Sequence, residues 1–211
     1  GYQHNDSFPG KHPLAVGPLG YNGSKAAMEI ISKADVVLAL GTRLNPFSTL
    51  PGYGIDYWPK EASIIQVDIN ADRIGLTKKV SVGICGDAKL VAQQILSKLD
   101  SKAGDIGRED RKSLIHQTKS AWLQTLTSLD HEEDDEGTTW NKDSRERDPD
   151  RMSPRMAWRA IQAGLPEDAI ISSDIGNNCA IGNAYPTFEK GRKYLAPGLF
   201  GPCGYGFPSV L

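Results

Sequence analysis

Cysteine is scarce in this chain of 211 residues, which has only Cys85, Cys179 and Cys203. The three lie far apart in the sequence, none belongs to a C-x-x-C pair, and their number is odd. A disulfide framework and a cysteine-based zinc site are therefore not expected. The expected location is a reducing compartment, the cytoplasm.

The chain also lacks a long apolar run and an excess of charge of one sign. No apolar stretch approaches the roughly 20 residues that cross a bilayer, so we do not expect a membrane protein. The 24 Lys and Arg residues nearly balance the 26 Asp and Glu residues, and the net charge is −2. This balance gives no electrostatic footprint for nucleic acid. Because the sequence begins at Gly1 and not at an initiator Met, we expect a piece cut from a longer chain, and no secretory signal pattern is visible.

Short apolar runs alternate with helical patterns in the first part of the chain. The runs at residues 35–40, 63–69 and 80–85 predict strands, and their continuous apolarity is typical of strands buried on both faces of a parallel sheet. Ser24 and Asp87 each precede a helical pattern and are good N-cap residues. The predicted fold class is α/β, with a parallel, doubly wound, Rossmann-like sheet.

A charged segment divides the chain. Residues 108–129 carry a helical apolar stripe, whereas residues 130–150 are almost free of apolar side chains. We interpret residues 130–150 as a solvated linker, with an acidic metal site as the alternative. Residues 1–129 then form a first domain, and residues 151–211 form the start of a second α/β domain.

The second domain has two loops that follow predicted strands. Ser153 and Pro154 are typical of a helix start, and residues 168–173 and 193–195 predict strands. The segment 173–178 (SDIGNN) follows the first strand, and the glycine-rich segment 198–206 (GLFGPCGYG) follows the second. Ligands of open α/β sheets bind at the carboxyl ends of strands. The two loops therefore predict a ligand site, although ordinary turns would produce the same local patterns.

Particular residues of the first loop suit a phosphate group. Gly176 permits an unusual backbone conformation, and the amides after it, with the Asn177 and Asn178 side chains, are candidate donors to phosphate oxygens at a helix N-terminus. No pair of nucleophile and base stands out elsewhere. His4 and His12 are candidates for lining a cleft, and we interpret the thiols of Cys179 and Cys203 as small buried groups.

A different class of function, a non-catalytic nucleotide-binding module, is suggested by the first domain. The segment 17–23 (GPLGYNG) precedes a helix and is a candidate phosphate loop. Its spacing is not G-x-G-x-x-G, and Asp68, at the end of a later strand, is only a loose candidate for ribose binding.

Longer strings carry a family resemblance. SDIGNN and GLFGPCGYGFP resemble the start of the diphosphate-binding domain of the thiamine-diphosphate enzymes related to acetolactate synthase and pyruvate oxidase, and the preceding part resembles their central domain. Within that superfamily, residues 2–9 (YQHNDSFP), 17–28 (GPLGYNGSKAAM), 41–59 and 174–186 are similar to the sulfoacetaldehyde acetyltransferase family. The resemblance covers nearly the whole chain apart from the charged segment.

The resemblance implies thiamine diphosphate and Mg²⁺ as cofactors, and sulfoacetaldehyde and phosphate as substrates. The implied products are acetyl phosphate and sulfite, formed by way of an acetyl group carried on the cofactor, in taurine and sulfonate degradation. An enzyme similar to acetolactate synthase is the alternative within the same class. Arg43 and Arg192 are candidates for contact with the sulfonate, although both are equally suited to a surface position.

Site residues are carried over from the family by position. In the resemblance, the cofactor-binding residues are Ile175, Gly176, Asn177 and Asn178 at the diphosphate, the carbonyl of Gly201 at the aminopyrimidine, and Pro202 and Cys203 on the same loop. Cys203 stands where relatives have a larger apolar residue that wedges the cofactor into its bent shape, and cysteine is shorter.

The family's metal motif is expected after Leu211, and its catalytic glutamate is expected in a preceding domain, usually contributed across a dimer. The resemblance therefore implies a homo-oligomer, with no catalytic or metal-binding residue in this chain. We expect the chain alone to be inactive.

Overall fold

The computed structural model describes residues 1, 4–20, 23–99, 107–131, 152, 154–197 and 200–211. Ser153 and residues 132–150 of the predicted linker lie outside the described residues. The helices are α1 (Lys25–Ile31), α2 (Ala88–Lys98), α3 (Arg108–His131), α4 (Pro154–Gly164) and α5 (Asn177–Ala184). The strands are β1 (Val36–Leu40), β2 (Ser63–Asp68), β3 (Val82–Cys85), β4 (Ile171–Ser172) and β5 (Tyr194–Leu195). Among the described helices, none is both long and apolar enough to cross a membrane.

The first three strands form one parallel sheet in the order β1–β2–β3. Val37 pairs with Ile64, and Ile65 pairs with Val82. Neighbouring parallel strands need crossover connections. In the chain, helix α2 comes directly after β3. The predicted α/β class with a parallel, Rossmann-like sheet is confirmed.

Local capping signals place the helix starts as the sequence predicts. The Ser24 hydroxyl accepts the N–H of Ala27 at 3.4 Å, and Asp87 Oδ1 accepts the N–H of Leu90 at 2.9 Å. The predicted end of the helix before the charged segment is wrong by two residues, because α3 continues to His131. Asp and His are not strong helix breakers, so the helix can extend into the first polar residues.

The prediction that β1 is buried on both faces is wrong. Alternate residues of a strand point to opposite faces, and here only one face of β1 is well covered. Ala39 is 4% exposed, whereas Val36, Leu38 and Leu40 are 53%, 44% and 41% exposed. The core forms on the covered face, where Ala39, Leu44 and Ile64 pack with partly buried neighbours that include Val37, Trp58 and Val80.

A buried glutamine connects the loops that follow β1 and β2. Gln66 is 1% exposed and lies in β2. Its Nε2 donates to the carbonyls of Thr42 and Arg73 at 3.0 and 3.2 Å, and its Oε1 accepts the N–H of Gly75 at 2.9 Å. Because a buried amide is costly unless it is hydrogen-bonded, this side chain fixes both loops to the sheet.

The second sheet consists of β4 and β5, which pair in parallel through Ile171 with Tyr194 and Ser172 with Leu195. The predicted strand at residues 168–173 is shorter in the structure, because a turn takes up its first part. In that turn the N–H of Ala169 donates to the carbonyl of Pro166 at 3.0 Å. The predicted strand at residues 193–195 is present as β5.

The N-terminal segment crosses over to this second sheet. Asp6 is 8% exposed, and its Oδ2 accepts the N–H groups of Lys193 and Tyr194 at 2.8 and 3.3 Å. Nearby, the N–H of Gly10 donates to the carbonyl of Phe188 at 2.8 Å. The first residues of the chain are therefore packed against the last third of it.

Candidate functional site

The loop between β4 and α5 has the backbone geometry of an anion site. Gly176 has φ 114° and ψ −159°, a conformation that residues with a Cβ rarely adopt. Gly176 is the N-cap of α5, and no side chain caps this helix. The amides of the first turn of a helix lack partners within the helix and favour an anion. Residues 173–176, which we call the strand-end loop, can therefore present N–H donors to a phosphate group.

The glycine loop, defined here as residues 200–206, folds onto the strand-end loop. Their junction is the carboxylate of Asp174. Its Oδ1 accepts the N–H of Ile175 at 2.7 Å and the N–H of Gly204 at 2.9 Å. Its Oδ2 accepts the N–H of Gly206 at 2.9 Å. These donors, that of Gly206 first, hold the pKa of Asp174 below its ordinary value because they favour the ionised form.

Crowding favours glycine at Gly206, and the backbone conformation favours it at Gly201. A Cβ at Gly206 would lie 3.3 Å from Asp174 Cβ. Gly201 has φ 58°, and a Cβ on it would lie 3.4 Å from Ile175 Cδ1. After the glycine loop, the hydroxyl of Ser209 lies 2.5 Å from that of Ser172. The glycines therefore allow the loop to sit directly on the end of β4.

The structure brings together most of the residues that the sequence selected at this edge. Ile175 and Gly176 lie in the strand-end loop, Asn177 and Asn178 open α5, and a Cβ on Gly201 would lie 3.4 Å from Ile175 Cδ1. The side chain of Asn178 lies outside the described residues.

Two other residues of the glycine loop, Pro202 and Cys203, are exposed on its turn. The interpretation of Cys203 as buried is therefore wrong, because a surface turn carries it. Cys179 is half-buried in α5, and burial raises the pKa of its thiol.

Asp174 joins the two loops of the candidate site, and sequence reasoning did not select it. It was only a turn residue within SDIGNN. The available signal was a carboxylate directly after a strand together with a loop rich in glycine N–H donors. The partners are 30 and 32 residues away in the sequence, so the spacing alone does not identify them.

A separate cavity of about 550 Å³ lies between the N-terminal segment, α3 and the chain that follows α5. His4 lines it, as do Gly17, Pro18 and Leu19 of the candidate phosphate loop. His12 does not line this cavity. Its Nδ1 instead accepts the N–H of Leu14 at 3.1 Å.

The nucleotide-binding features of the first domain have local structural roles. A Cβ on Gly23 would lie 2.4 Å from the carbonyl oxygen of Pro18, so packing within the loop requires this glycine. Asp68 is buried, and its Oδ1 accepts the N–H of Asn70 at 2.9 Å, as in an ordinary turn. Over the part of the chain that the structure describes, no group of three His, Cys, Asp or Glu residues is placed to hold a metal ion.

Comparison with known proteins assigns the first part of this architecture. Residues 1–95 match the family model described as thiamine pyrophosphate enzyme, central domain. This matched region contains the three-stranded parallel sheet.

The whole chain is similar to a protein named probable sulfoacetaldehyde acetyltransferase from Rhizobium meliloti (strain 1021). The two are 80% identical over 211 residues, which is 100% of this chain and 36% of the relative. A sulfoacetaldehyde acetyltransferase from Roseovarius nubinhibens is 76% identical over 100% of this chain and 35% of its own length. The resemblance inferred from the sequence strings is confirmed.

More distant similarity extends to acetolactate synthases. A probable acetolactate synthase large subunit from Methanocaldococcus jannaschii is 30% identical over 210 residues, 97% of this chain and 32% of the relative. The chain thus spans about a third of the length of the curated relatives that it matches.

Proposed function

We propose that this chain forms part of a thiamine-diphosphate-dependent sulfoacetaldehyde acetyltransferase in taurine and sulfonate degradation. The proposed reaction converts sulfoacetaldehyde and phosphate into acetyl phosphate and sulfite. One observation carries the choice of substrate: 76% identity to the Roseovarius nubinhibens protein over all 211 residues. The reaction breaks the C–S bond and the aldehyde C–H bond, and it forms an acyl–oxygen bond to phosphate and a C–H bond of the new methyl group. It needs no external oxidant or reductant, because the aldehyde carbon is oxidised while the carbon that loses sulfite is reduced.

The second sheet edge fits the cofactor. Asn177 and Asn178 supply amides at the uncapped start of α5, and together with Ile175 and Gly176 they would hold the diphosphate. The Gly201 carbonyl would accept from the aminopyrimidine, with Pro202 and Cys203 beside it. When bound, the cofactor supplies a nucleophilic carbon and an electron sink. The task of these residues is to bind and orient it.

Mg²⁺ is part of the proposal, as the ion that neutralises the diphosphate. Since the described residues offer no cluster of ligands, we assign its protein ligands to other residues. The domain division at residues 1–129, 130–150 and 151–211 is likewise proposed. The two separate parallel sheets, one on each side of residues 130–150, support it.

A homo-oligomer is also proposed. Phe200 begins the glycine loop and Phe207 follows it, and the two residues are 92% and 74% exposed. A second subunit over these rings would bury apolar surface and exclude water from the site.

A cytoplasmic location is proposed because Cys85, Cys179 and Cys203 are free thiols, which suit a reducing compartment.

The test uses the whole gene product that contains this chain, purified and supplied with thiamine diphosphate and Mg²⁺. Sulfoacetaldehyde and phosphate should give sulfite and acetyl phosphate in equal amounts, and omission of the cofactor should abolish both. The Roseovarius nubinhibens protein serves as the reference.

Two outcomes would contradict the proposal. Formation of acetolactate from pyruvate without sulfite release would indicate the acetolactate-synthase alternative. Saturable binding of FAD without either activity would indicate a nucleotide-binding module. Light scattering after gel filtration tests the oligomer, and a monomer would remove that part of the proposal.

A further inference from the structure

The contacts of Asp174 have a consequence for how the site binds its cofactor. Its carboxylate accepts three backbone N–H groups, one from its own loop and two from the glycine loop. Gly204 and Gly206 lie on both sides of the half-buried Tyr205, so one side chain holds the loop at two points. Charge-assisted hydrogen bonds of this kind are short and stronger than neutral ones.

The same contacts set the position of Gly201. This residue has no described hydrogen bond of its own to the strand-end loop, and a Cβ on it would lie 3.4 Å from Ile175 Cδ1. Its φ of 58° depends on the path of the loop that follows, and that path is fixed where Gly204 and Gly206 bind Asp174. A change at Asp174 would therefore move the Gly201 carbonyl relative to the start of α5.

We propose that Asp174 is a positioning residue for thiamine diphosphate, which fixes the glycine loop on the strand-end loop and so aligns the backbone groups that hold the cofactor. This inference rests on the proposed function. In this role Asp174 acts through the loop and not on the reacting atoms. The lowered pKa of its carboxyl agrees with this role. The ionised carboxylate has only acceptor oxygens, and the three N–H donors stabilise that form.

Two substitutions separate the contacts. Asp174→Ala removes all three acceptors. Asp174→Asn keeps one oxygen, which can still accept from Ile175 and Gly204, but its NH₂ group faces the N–H of Gly206 and cannot accept it. The exposed Asp168 lies in the same part of the chain and gives a matched control in Asp168→Ala.

The first measurement is amide hydrogen exchange on the whole gene product without cofactor. Asp174→Ala should speed exchange of both the Gly204 and Gly206 amides, and Asp174→Asn should affect chiefly Gly206. The second measurement is the Kd for thiamine diphosphate by calorimetry. It should rise by at least about tenfold in the alanine variant, which corresponds to about 1.4 kcal/mol, and by less in the asparagine variant. Asp168→Ala should change neither quantity.

The outcomes separate this inference from the proposed function. If the wild-type protein binds no thiamine diphosphate, the proposed function fails. If the wild type binds it and a folded Asp174→Ala protein binds it within twofold, the positioning role is overturned while the function stands. Unchanged exchange at Gly204 and Gly206 in both variants would also overturn it. If the alanine variant does not fold, the asparagine variant decides in the same way.

Discussion

The contact between Asp6 and the start of β5 gives a sharp test of how the two ends of the chain are held together. Asp6 Oδ2 accepts the Lys193 N–H at 2.8 Å and the Tyr194 N–H at 3.3 Å. A hydrogen bond to a charged group contributes about 1.5–3 kcal/mol, and the longer contact should lie at or below the lower end of that range. Asp6→Ala removes both acceptors.

The net cost is smaller than the sum of the two bonds. Asp6 is 8% exposed, so its carboxylate loses hydration on folding, and the alanine variant avoids that penalty. We therefore expect Asp6→Ala to weaken the local structure by about 2 kcal/mol, which makes opening roughly 30-fold more frequent. Asp6→Asn keeps one acceptor oxygen and should cost about half as much.

Amide hydrogen exchange measures this effect at the two donors. In Asp6→Ala, the Lys193 and Tyr194 amides should exchange roughly 30-fold faster if they exchange by local opening. The exposed Asp72→Ala provides the control, and there both amides should exchange as in the wild type. Exchange within about threefold of the wild type in a folded Asp6→Ala protein would refute the reasoning, since that ratio corresponds to under 1 kcal/mol.

Two further predictions concern buried polar groups of the first domain. Gln66→Leu should lower the free energy of unfolding, measured in urea, by about 2–4 kcal/mol. The substitution leaves the polar groups of Thr42, Arg73 and Gly75 without their partner. As a control, Gln94→Leu at an exposed position should change the free energy of unfolding by less than about 0.5 kcal/mol. Burial raises the pKa of Tyr57 from 10.0 to about 12, so folding favours the neutral phenol. Its stabilising effect is complete below pH 10 and is lost as the pH rises towards 12. The tyrosinate absorbance of wild type minus Tyr57→Phe should therefore appear near pH 12, and a difference near pH 10 would contradict the burial argument.

Features that depend on neighbouring residues could be predicted from the sequence. The caps at Ser24 and Asp87 act over three residues, so the sequence contains both partners of each hydrogen bond within one turn. The apolar runs likewise gave the three strands of the first sheet. The length of β4 could not be predicted, because the turn after Pro166 competes with the strand for the same residues.

Burial was less predictable than strand position. The apolar run of β1 is continuous, but Leu38 and Leu40 are over 40% exposed. The burial of a sheet face depends on which elements pack against it. A single sequence contains apolarity, but it does not contain the packing partner. The same limit applies to Cys203, where residue type suggested burial and a surface turn decided otherwise.

The string YQHNDSFP illustrates why a distinctive sequence and a chemical role are separate matters. It is one of the strings that carry the family resemblance, and Asp6 lies in its middle. In the structure, Asp6 binds backbone N–H groups of β5, a contact between residues 187 and 188 positions apart. Such a contact constrains the sequence whatever the substrate is, because backbone donors are the same in every relative. The resemblance carried by this string therefore supports a shared arrangement of the two sheets. The case for the sulfonate substrate depends on the identity over all 211 residues and on the release of sulfite in the assay.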